Sequence, residues 1–274
     1  MKKLIPILML IVAASAVAPV HAQDTGDRVT VNFSDPSRPG LLKVNFISGA
    51  ITVKTHSGKD VIIEGKSEGN RGRRPSTTPD GLRRIDTNTT GLTIEEENNV
   101  MSISSRGGFN TGGNLEIQVP AKTNLNLRTV NGGAIVVEGV EGEMEINNTN
   151  GAVMLNNVAG SVVAHATNGR MVASLRELTP NKPMSFTTLN ANVDVTLPAN
   201  AKANLKMRTD NGEAYSDFDI QLRPSAPATV EHNRKTGGRF RIQTDKTING
   251  TINGGGPDFE VRTLNGNIYI RKAK

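Results

Sequence analysis

Five glycines recur at intervals of nine residues in the middle of this chain, namely Gly133, Gly142, Gly151, Gly160 and Gly169. Behind each glycine, apolar residues occupy the second and fourth positions. These pairs are Ile135/Val137, Met144/Ile146, Val153/Leu155, Val162/Ala164 and Met171/Ala173. Apolar residues at alternate positions after a turn are typical of a short, half-buried strand. Repetition at a fixed interval predicts that similar strands stack on one another.

The residues that precede these glycines alternate in character, so the full repeat is eighteen residues long. The triplet at 140–142 (Val-Glu-Gly) returns as Val-Ala-Gly at 158–160, and Thr-Asn-Gly at 149–151 returns at 167–169. We therefore predict an all-β fold, a parallel β-helix (β-solenoid) with about 18 residues per coil in two nine-residue halves. The alternative is a set of unrelated β-hairpins that share Asn-Gly turns.

The corners of such a coil have their own chemistry. The Asn-Gly pairs are expected there, because glycine and asparagine adopt a positive φ at low cost. Asn147, Asn148, Asn156 and Asn157 also fall at predicted corners. Stacked amides at these positions would form a hydrogen-bonded ladder.

The composition suits a thin, repetitive core. Aromatic residues make up only 3% of the chain, with no tryptophan and two tyrosines. A solenoid interior is filled by aliphatic side chains, so the low aromatic content favours the repeat over a conventional sandwich. The absence of cysteine excludes disulfides, thiolate chemistry and an acylated cysteine anchor.

The first 22 residues have the pattern of a signal peptide. Lys2 and Lys3 precede an apolar stretch at residues 4–17, and Val-His-Ala at 20–22 is a small-residue cleavage site. The apolar stretch is too short for a spanning helix, and no second one of sufficient length follows. We expect cleavage before Gln23, no transmembrane segment, and a periplasmic or cell-surface location.

Positive charge is concentrated in one segment. Removal of Lys2 and Lys3 lowers the formal charge of +6 to +4, and residues 66–86 hold six basic side chains against three acidic ones. The rest of the chain is nearly neutral, so no nucleic-acid partner is predicted. We predict a long polar loop near 66–91, which could bind anionic polymers or lipid headgroups or serve only as a solubilising loop. Its candidate interaction residues are Arg71, Arg73, Arg74, Arg83 and Arg84.

Repetition continues on both sides of the central segment. Arg-Thr-x-Asn-Gly occurs at 128–132 and again at 208–212, eighty residues later. A second polar loop is expected near 221–239, and apolar alternation returns up to the C-terminus. Since no linker divides the chain, we predict a single β-solenoid domain over residues 23–274.

These motifs resemble a known family. The segments Val-Pro-Ala at 119–121, Leu-Arg-Thr-Val-Asn-Gly-Gly at 127–133 and the serial Thr-Asn-Gly and Val-Ala-Gly triplets resemble bacterial envelope proteins called putative adhesins, whose function is unknown. That family is related to head-domain solenoids of surface adhesins. The resemblance covers roughly residues 41–270, and it implies a β-helical fold and export. It brings no catalytic residues to this chain.

The chain offers little for catalysis. Polysaccharide lyases and hydrolases that share the β-helix need clustered carboxylates. The candidates are Asp210, Asp217 and Asp219 near one turn, and Glu138, Glu141, Glu143 and Glu145 around one coil. Alternating glutamates are equally typical of a solvated strand face. The turns also lack the regular aspartate of a calcium-binding repeat.

Other sequence features point to no cofactor or metal either. His56, His165 and His232 are isolated, and the Gly-Gly-Gly-Pro segment at 254–257 lacks the lysine and helix of a phosphate-binding loop. Tyr215 and Tyr269 are a small supply of aromatic rings for sugar binding. We assign no catalytic, cofactor-binding or metal-binding residue.

The register of the repeat predicts one apolar outer surface. At the third position after the glycines, which should face outward, one sheet carries Val136, Met154 and Val172, while the other carries Glu145 and Val163. An outward apolar stripe should be covered by the chain's own loop, which we favour, or by a partner or second copy.

Together these features predict an exported, non-enzymatic β-solenoid of the cell envelope that acts as an adhesin or scaffold. Its partner would be an envelope or surface component, either a protein or an anionic polymer. The alternatives are a carbohydrate-active β-helix enzyme and a periplasmic sensor or accessory protein.

Overall fold

The computed structural model describes residues 27–67, 92–105, 113–223, 229–232, 240–243 and 246–274. This part of the chain is all-β and has no helix, so it holds no helical segment that could span a membrane. The strands are β1 (Asp27–Asn32), β2 (Gly40–His56), β3 (Asp60–Ser67), β4 (Leu92–Glu97), β5 (Val100–Ser105), β6 (Gly113–Pro120), β7 (Thr123–Glu138), β8 (Glu141–Asn148), β9 (Val153–Ala166), β10 (Met171–Leu175), β11 (Met184–Thr187), β12 (Val193–Leu197), β13 (Ala203–Asn211), β14 (Ala214–Ser216), β15 (Ile220–Arg223), β16 (Thr229–His232), β17 (Phe240–Gln243), β18 (Ile248–Ile252), β19 (Asp258–Asn265) and β20 (Ile268–Lys272).

Eighteen of these strands pair into one large sheet that forms two rows. Strands β2, β7 and β9 are long and contribute one half to each row. The first row runs β4, β5, β2, β7, β8, β9, β11, β19, β13, β18, β15. The second row runs β1, β3, β6, β2, β7, β9, β10, β12, β20, β14.

Pairing is parallel inside both rows and antiparallel at three of their four ends, whereas β14 pairs in parallel with β20 at the fourth. Strands β4, β18 and β15 are antiparallel to their neighbours in the first row, as are β1 and β3 in the second. The sheet is not closed. Among the described strands, β4 and β15 are the edges of the first row, and β1 and β14 are the edges of the second.

The eighteen-residue offset is found only in the middle of the chain. Met154 pairs with Val136 and with Val172, each eighteen positions away. Beyond this segment the offsets change, since Val172 pairs with Asp194 and Asp194 pairs with Tyr269. The C-terminal strands β19 and β20 enter the rows between earlier strands, and β2 lies between β6 and β7. Spatial order therefore departs from chain order at both ends.

The alternating apolar residues form the core, as the repeat predicts. All ten residues of the five glycine-linked pairs are buried, with Ile135, Val137, Val153 and Leu155 fully excluded from solvent. They belong to one continuous cluster that includes buried side chains from both rows. Burial of each valine, leucine, isoleucine or methionine side chain among them is worth about 1.5–3 kcal/mol relative to exposure.

Close approach between backbones explains the glycine ladder. A Cβ at Gly151 would lie 2.0 Å from the carbonyl oxygen of Gly133, and one at Gly169 would lie 1.9 Å from that of Gly151. Neither glycine has a positive φ. The expectation that the Asn-Gly glycines supply a positive φ is therefore wrong at these two positions, although Gly132 does have a φ of 83°. Glycine is required because the neighbouring strand's carbonyl occupies the space of a side chain.

Strands also occupy part of the stretch expected as a second polar loop. Residues 220–223 form β15, and residues 229–232 pair with 240–243 in a separate two-stranded sheet. In β15, Ile220 and Leu222 alternate with Gln221 and Arg223, which is strand periodicity. Of the first expected loop, residues 68–91 lie outside the described residues.

Candidate interaction surfaces

Seven five-residue segments lie in register along the turns of the first row. In spatial order these segments are 45–49, 128–132, 147–151, 165–169, 187–191, 262–266 and 208–212. Three of them read Arg-Thr-x-Asn-Gly, at 128, 262 and 208. The first, second and fourth positions carry the features that most of these segments share.

The second position points inward, and in five of the seven segments its side chain donates a hydrogen bond to a carbonyl of the neighbouring turn. The hydroxyl of Thr188 donates to the carbonyl of Gly169 at 3.1 Å, and that of Thr209 donates to Gly266 at 2.7 Å. Thr129 and Thr263 make the equivalent bonds to Gly49 and Ala191. These hydroxyls satisfy carbonyl groups in the turns, where a buried unpaired acceptor would be costly.

Asn148 occupies this second position in its own segment. Its side-chain nitrogen donates to the carbonyls of Gly133 at 2.9 Å and Ala152 at 3.1 Å. Its Oδ1 is buried and has no hydrogen-bond partner among the described residues. A threonine position is thus filled here by a longer amide that leaves one acceptor unsatisfied.

The fourth position carries an exposed asparagine ladder. Asn168 donates to Asn150 at 2.9 Å, Asn190 donates to Asn168 at 2.8 Å, and Asn265 donates to Asn190 at 2.8 Å. The ladder extends to Asn131 at one end, through Asn150 at 3.3 Å. It reaches the sixth asparagine at the other end, where Asn211 donates to Asn265 at 2.7 Å.

The amide ladder predicted from sequence does not form at Asn147, Asn148, Asn156 and Asn157. Asn148 is buried and bonds to backbone carbonyls. Asn147 donates to Glu145 at 3.4 Å. Asn156 and Asn157 follow β9's first half, and Asn157 has a φ of 54°. The ladder instead uses the asparagines that precede the glycines.

The first position of the segment faces outward and forms what we call the donor row. Its members, in spatial order, are Asn45, Arg128, Asn147, His165, Thr187, Arg262 and Arg208. All seven side chains carry a hydrogen-bond donor, none is acidic, and none is buried. Sequence reasoning missed this row, although the third Arg-Thr-x-Asn-Gly copy at 262–266 was a signal for it.

The three arginines of the donor row differ in the hydrogen bonds and ion pairs that their side chains form. Arg208 Nε donates to Asp210 at 3.1 Å. Arg128 and Arg262 are exposed and form no ion pair or hydrogen bond through their side chains within the described part of the chain. These two guanidinium groups are therefore available to a ligand.

The predicted apolar stripe lies on the outer face of the second row. Val136, Met154 and Val172 occupy one register on β7, β9 and β10, and all three are half-buried. On the neighbouring strands, Thr52 of β2 pairs with Val136, and Asp194 of β12 pairs with Val172. On the first row, Val163 is 50% exposed between Glu145 and Ser185.

The two tyrosines meet at the open edge of the second row. Tyr215 on β14 stacks on Tyr269 of β20, with ring centroids 5.3 Å apart and planes 10° apart. Arg271 lies 5.2 Å from the Tyr269 centroid and is held by Asp194 through Nε at 2.8 Å. The pKa of the Arg271 guanidinium is raised, chiefly by its hydrogen bond to Asp194.

Glu213 interacts with Tyr215, the more exposed of the two tyrosines. The hydroxyl of Tyr215 donates to the Glu213 carboxylate, and this bond, followed by the charge of Glu213, raises the pKa of Tyr215. The ring is 46% exposed. This aromatic pair was not expected from sequence, because the two tyrosines are 54 positions apart.

The glutamates considered for catalysis are each engaged with separate partners. Glu138 pairs with Lys54 at 3.7 Å, and Glu143 pairs with Lys182. Glu141 lies 3.4 Å from Arg176 and 4.0 Å from Lys122, while Glu145 accepts from Asn126 at 3.0 Å. Across the described residues, no group of three or more His, Asp or Glu side chains is arranged to hold a metal.

The aspartates near the C-terminal turn are likewise separate. Asp210 bonds Arg208, and Asp217 accepts from the backbone of Lys272 at 3.4 Å. His56 stabilises its own turn, where Nδ1 accepts from the backbone nitrogen of Gly58 at 3.1 Å. The side chain of His232 lies outside the described residues.

The basic loop cannot be placed beside these surfaces. Its candidates Arg71, Arg73, Arg74, Arg83 and Arg84 all lie outside the described residues. Their role remains a sequence-based prediction.

No protein-family model matches this chain, and no curated protein matches it. Among solved structures, a putative cell adhesion protein from Clostridium sporogenes is similar at 12% identity and a TM-score of 0.46, over 91% of this chain and 100% of that one. A putative adhesin from Bacteroides fragilis is similar at 9% identity and a TM-score of 0.28, over 91% of this chain and 99% of that one.

Proposed function

We propose that this chain is an exported, non-enzymatic protein of the cell envelope that acts as an adhesin or scaffold. In this proposal residues 1–22 are a signal peptide, and residues 23–274 form one β-solenoid domain in the periplasm or on the cell surface. The central segment, with its eighteen-residue offsets, would be the regular part of the solenoid.

One observation carries the proposal, namely the superposition of seven equivalent segments along the first row. Threonine hydroxyls in four of these segments and asparagine amides in six bond from strand to strand, which fixes the turns. The outward positions therefore form a long, regular surface. Such a surface suits recognition of an extended partner better than conversion of a small substrate.

The pairing of the glutamates supports a non-enzymatic role over a carbohydrate-active enzyme. A glycosidase needs two carboxyl groups facing one bond, with one free to donate a proton. Here Glu138, Glu141 and Glu143 are each held by a different cation on the surface. A sensor or accessory subunit would share these features, so the experiment below treats it as a separate outcome.

Two further surfaces, both predicted from sequence, are candidates for the partner. The basic loop with Arg71, Arg73 and Arg74 would bind an anionic envelope component through charge-assisted hydrogen bonds. The apolar stripe at Val136, Met154 and Val172 would be covered by the chain itself or by a second copy. The half-burial of all three side chains is compatible with either arrangement.

The test is fractionation of cells that produce the full chain, followed by determination of its N-terminus. We expect export, an N-terminus at Gln23, and co-sedimentation of the purified exported protein with envelope fractions. A triple change of Arg71, Arg73 and Arg74 to Ala shows whether the basic loop is needed. Retention in the cytoplasm would overturn the proposal, and release of reducing sugars from envelope polysaccharide would favour the enzyme. Capture of one stoichiometric protein partner without polymer binding would favour the accessory role.

A further inference from the structure

We propose that the donor row is a binding site for an extended acidic polysaccharide, whose carboxylates lie along the seven stacked turns. This inference deepens the proposed envelope function and rests on it, because it names the chemistry of the partner. The row was not among the surfaces predicted from sequence.

The first argument is the chemistry of the row. Seven neighbouring outward positions all offer N–H or O–H donors, and the row contains no carboxylate. The adjacent outward register, two residues earlier on each strand, carries both signs of charge, with Lys43, Glu145, Glu260 and Lys206. Glu260 is neutralised there by Lys206 at 3.3 Å. A row in which every side chain can donate and none is a carboxylate is complementary to a ligand that presents oxyanions in a line.

The second argument is the freedom of the two arginines. Arg128 and Arg262 have no side-chain partner within the described residues, and both are exposed. Arginine is well suited to carboxylates because its planar fork donates two parallel hydrogen bonds. His165 lies midway between them in the row, with Asn147 and Thr187 in the intervening positions.

The third argument is spacing. Neighbouring strands are about 4.8 Å apart, so Arg128 and His165 are separated by about 10 Å, and Arg128 and Arg262 by about 19 Å. An extended chain of pyranose rings advances, for each sugar, by about the distance between two neighbouring strands. A linear glycan that runs across the strands can therefore present a carboxylate at successive positions of the row.

The surroundings favour a glycan over a nucleic acid. Proteins that bind single-stranded nucleic acid combine positive charge with aromatic rings on which the bases stack. Neither the donor row nor the outward register beside it contains an aromatic residue other than the imidazole of His165. Tyr215 and Tyr269 lie on the second row.

The experiment measures binding of defined oligosaccharides to the exported protein by isothermal titration calorimetry. The probes are oligomers of mannuronate with two and with six sugars, neutral cellohexaose, and an oligodeoxythymidylate of similar charge. We expect the hexamer of mannuronate to bind at least tenfold more tightly than the dimer, because only the hexamer spans both arginines. Neutral cellohexaose should bind at least tenfold more weakly than the acidic hexamer.

The variants test the row itself. The double change Arg128→Gln and Arg262→Gln should weaken hexamer binding at least tenfold and remove the advantage of the hexamer over the dimer. The matched control is Arg170→Gln, an exposed arginine outside the donor row, directly before β10, which should change the affinity less than twofold. Thermal unfolding midpoints identify any variant that has lost its fold, and the single change Arg262→Gln then provides an independent test.

Three outcomes would overturn the assignment. These are equal affinity of the double variant and the wild-type protein, an equal loss with Arg170→Gln, and binding of oligodeoxythymidylate as tight as that of the acidic hexamer. Export and envelope association are measured separately in cells. A protein that is exported and sediments with envelopes but ignores the acidic hexamer would therefore overturn this inference alone.

Discussion

The side-chain amide of Asn265 donates a hydrogen bond to Oδ1 of Asn190, 2.8 Å away, across 75 positions of the chain. Asn190 passes the ladder on to Asn168, also at 2.8 Å. Because β19 lies between β11 and β13, the ladder is continuous only when the C-terminal segment has entered the first row. Asn190 therefore links the part of the asparagine ladder in the central segment to the part on β19 and β13.

Replacement of Asn190 by Ala removes one donated and one accepted hydrogen bond. Since the amides are exposed, we expect the free energy of unfolding to fall by only about 1 kcal/mol. Asn156→Ala is the matched control, because the exposed amide of Asn156 makes no side-chain hydrogen bond with the described part of the chain. Urea unfolding measures both variants. Equal stability of Asn190→Ala and Asn156→Ala would show that the ladder contributes nothing.

The core of the central segment could be predicted because its signal is local. A glycine followed by apolar residues at the second and fourth positions gave the burial of Ile135, Val137, Met144 and Ile146 correctly. Strand periodicity requires only a few consecutive residues, so no long-range information was needed.

The order of strands in the rows could not be predicted, because it depends on pairing between residues that are far apart in the chain. Val172 pairs with Asp194, and Asp194 with Tyr269, so the constant offset is lost after β10. Parallel neighbours can be separated by any length of chain, and no local pattern states that β20 enters between β12 and β14. The tyrosine pair depends on this insertion, and the donor row depends on the entry of β19 between β11 and β13, which explains why neither was found.

The glycine ladder makes a prediction about sterics. In Gly151→Ala the new Cβ would lie 2.0 Å from a backbone carbonyl, which cannot move without displacing its own strand. We expect a loss of about 3 kcal/mol or more in the free energy of unfolding. The comparison is Gly132→Ala, where the space is open and only the φ of 83° opposes a side chain. That variant should lose about 1 kcal/mol. A larger loss for Gly132→Ala in urea unfolding would contradict the close-approach explanation.

The apolar stripe is tested by Met154→Glu. Met154 is half-buried between Val136 and Val172, so a carboxylate there would be partly desolvated against apolar neighbours. We expect lower stability if the chain covers its own stripe, and loss of self-association if a second copy covers it. Urea unfolding and light scattering distinguish the two. Ser174→Glu adds the same charge two residues after Val172, opposite Thr196, and should change neither quantity. If Met154→Glu behaves in the same way, the stripe is not a covered surface.

The tyrosine at the row edge predicts a pH effect. The hydrogen bond to Glu213 and its charge raise the pKa of Tyr215, so folding favours the protonated phenol. The resulting stabilisation is complete below the ordinary tyrosine pKa of about 10 and is lost as the pH rises through the higher folded value. A Tyr269→Phe background leaves Tyr215 as the sole tyrosine, because the chain has two. Absorbance titration should then show a lower midpoint after Glu213→Gln. An unchanged midpoint would exclude Glu213 as the cause.

Asn148 offers a stabilising substitution. Equivalent turns use a threonine whose hydroxyl donates to the neighbouring carbonyl, as Thr188 does at 3.1 Å and Thr209 at 2.7 Å. Asn148 makes this bond to Gly133 but buries an Oδ1 with no described partner. In Asn148→Thr the hydroxyl would keep the bond to Gly133, and the unsatisfied acceptor would disappear. We expect the free energy of unfolding to rise by about 1 kcal/mol, since an unpaired buried polar group costs about that much or more. Asn148→Ala is the control that removes the donor as well, and it should lower stability. If Asn148→Thr is less stable than the wild-type protein in urea, the second bond of Asn148, to Ala152, outweighs its unsatisfied oxygen.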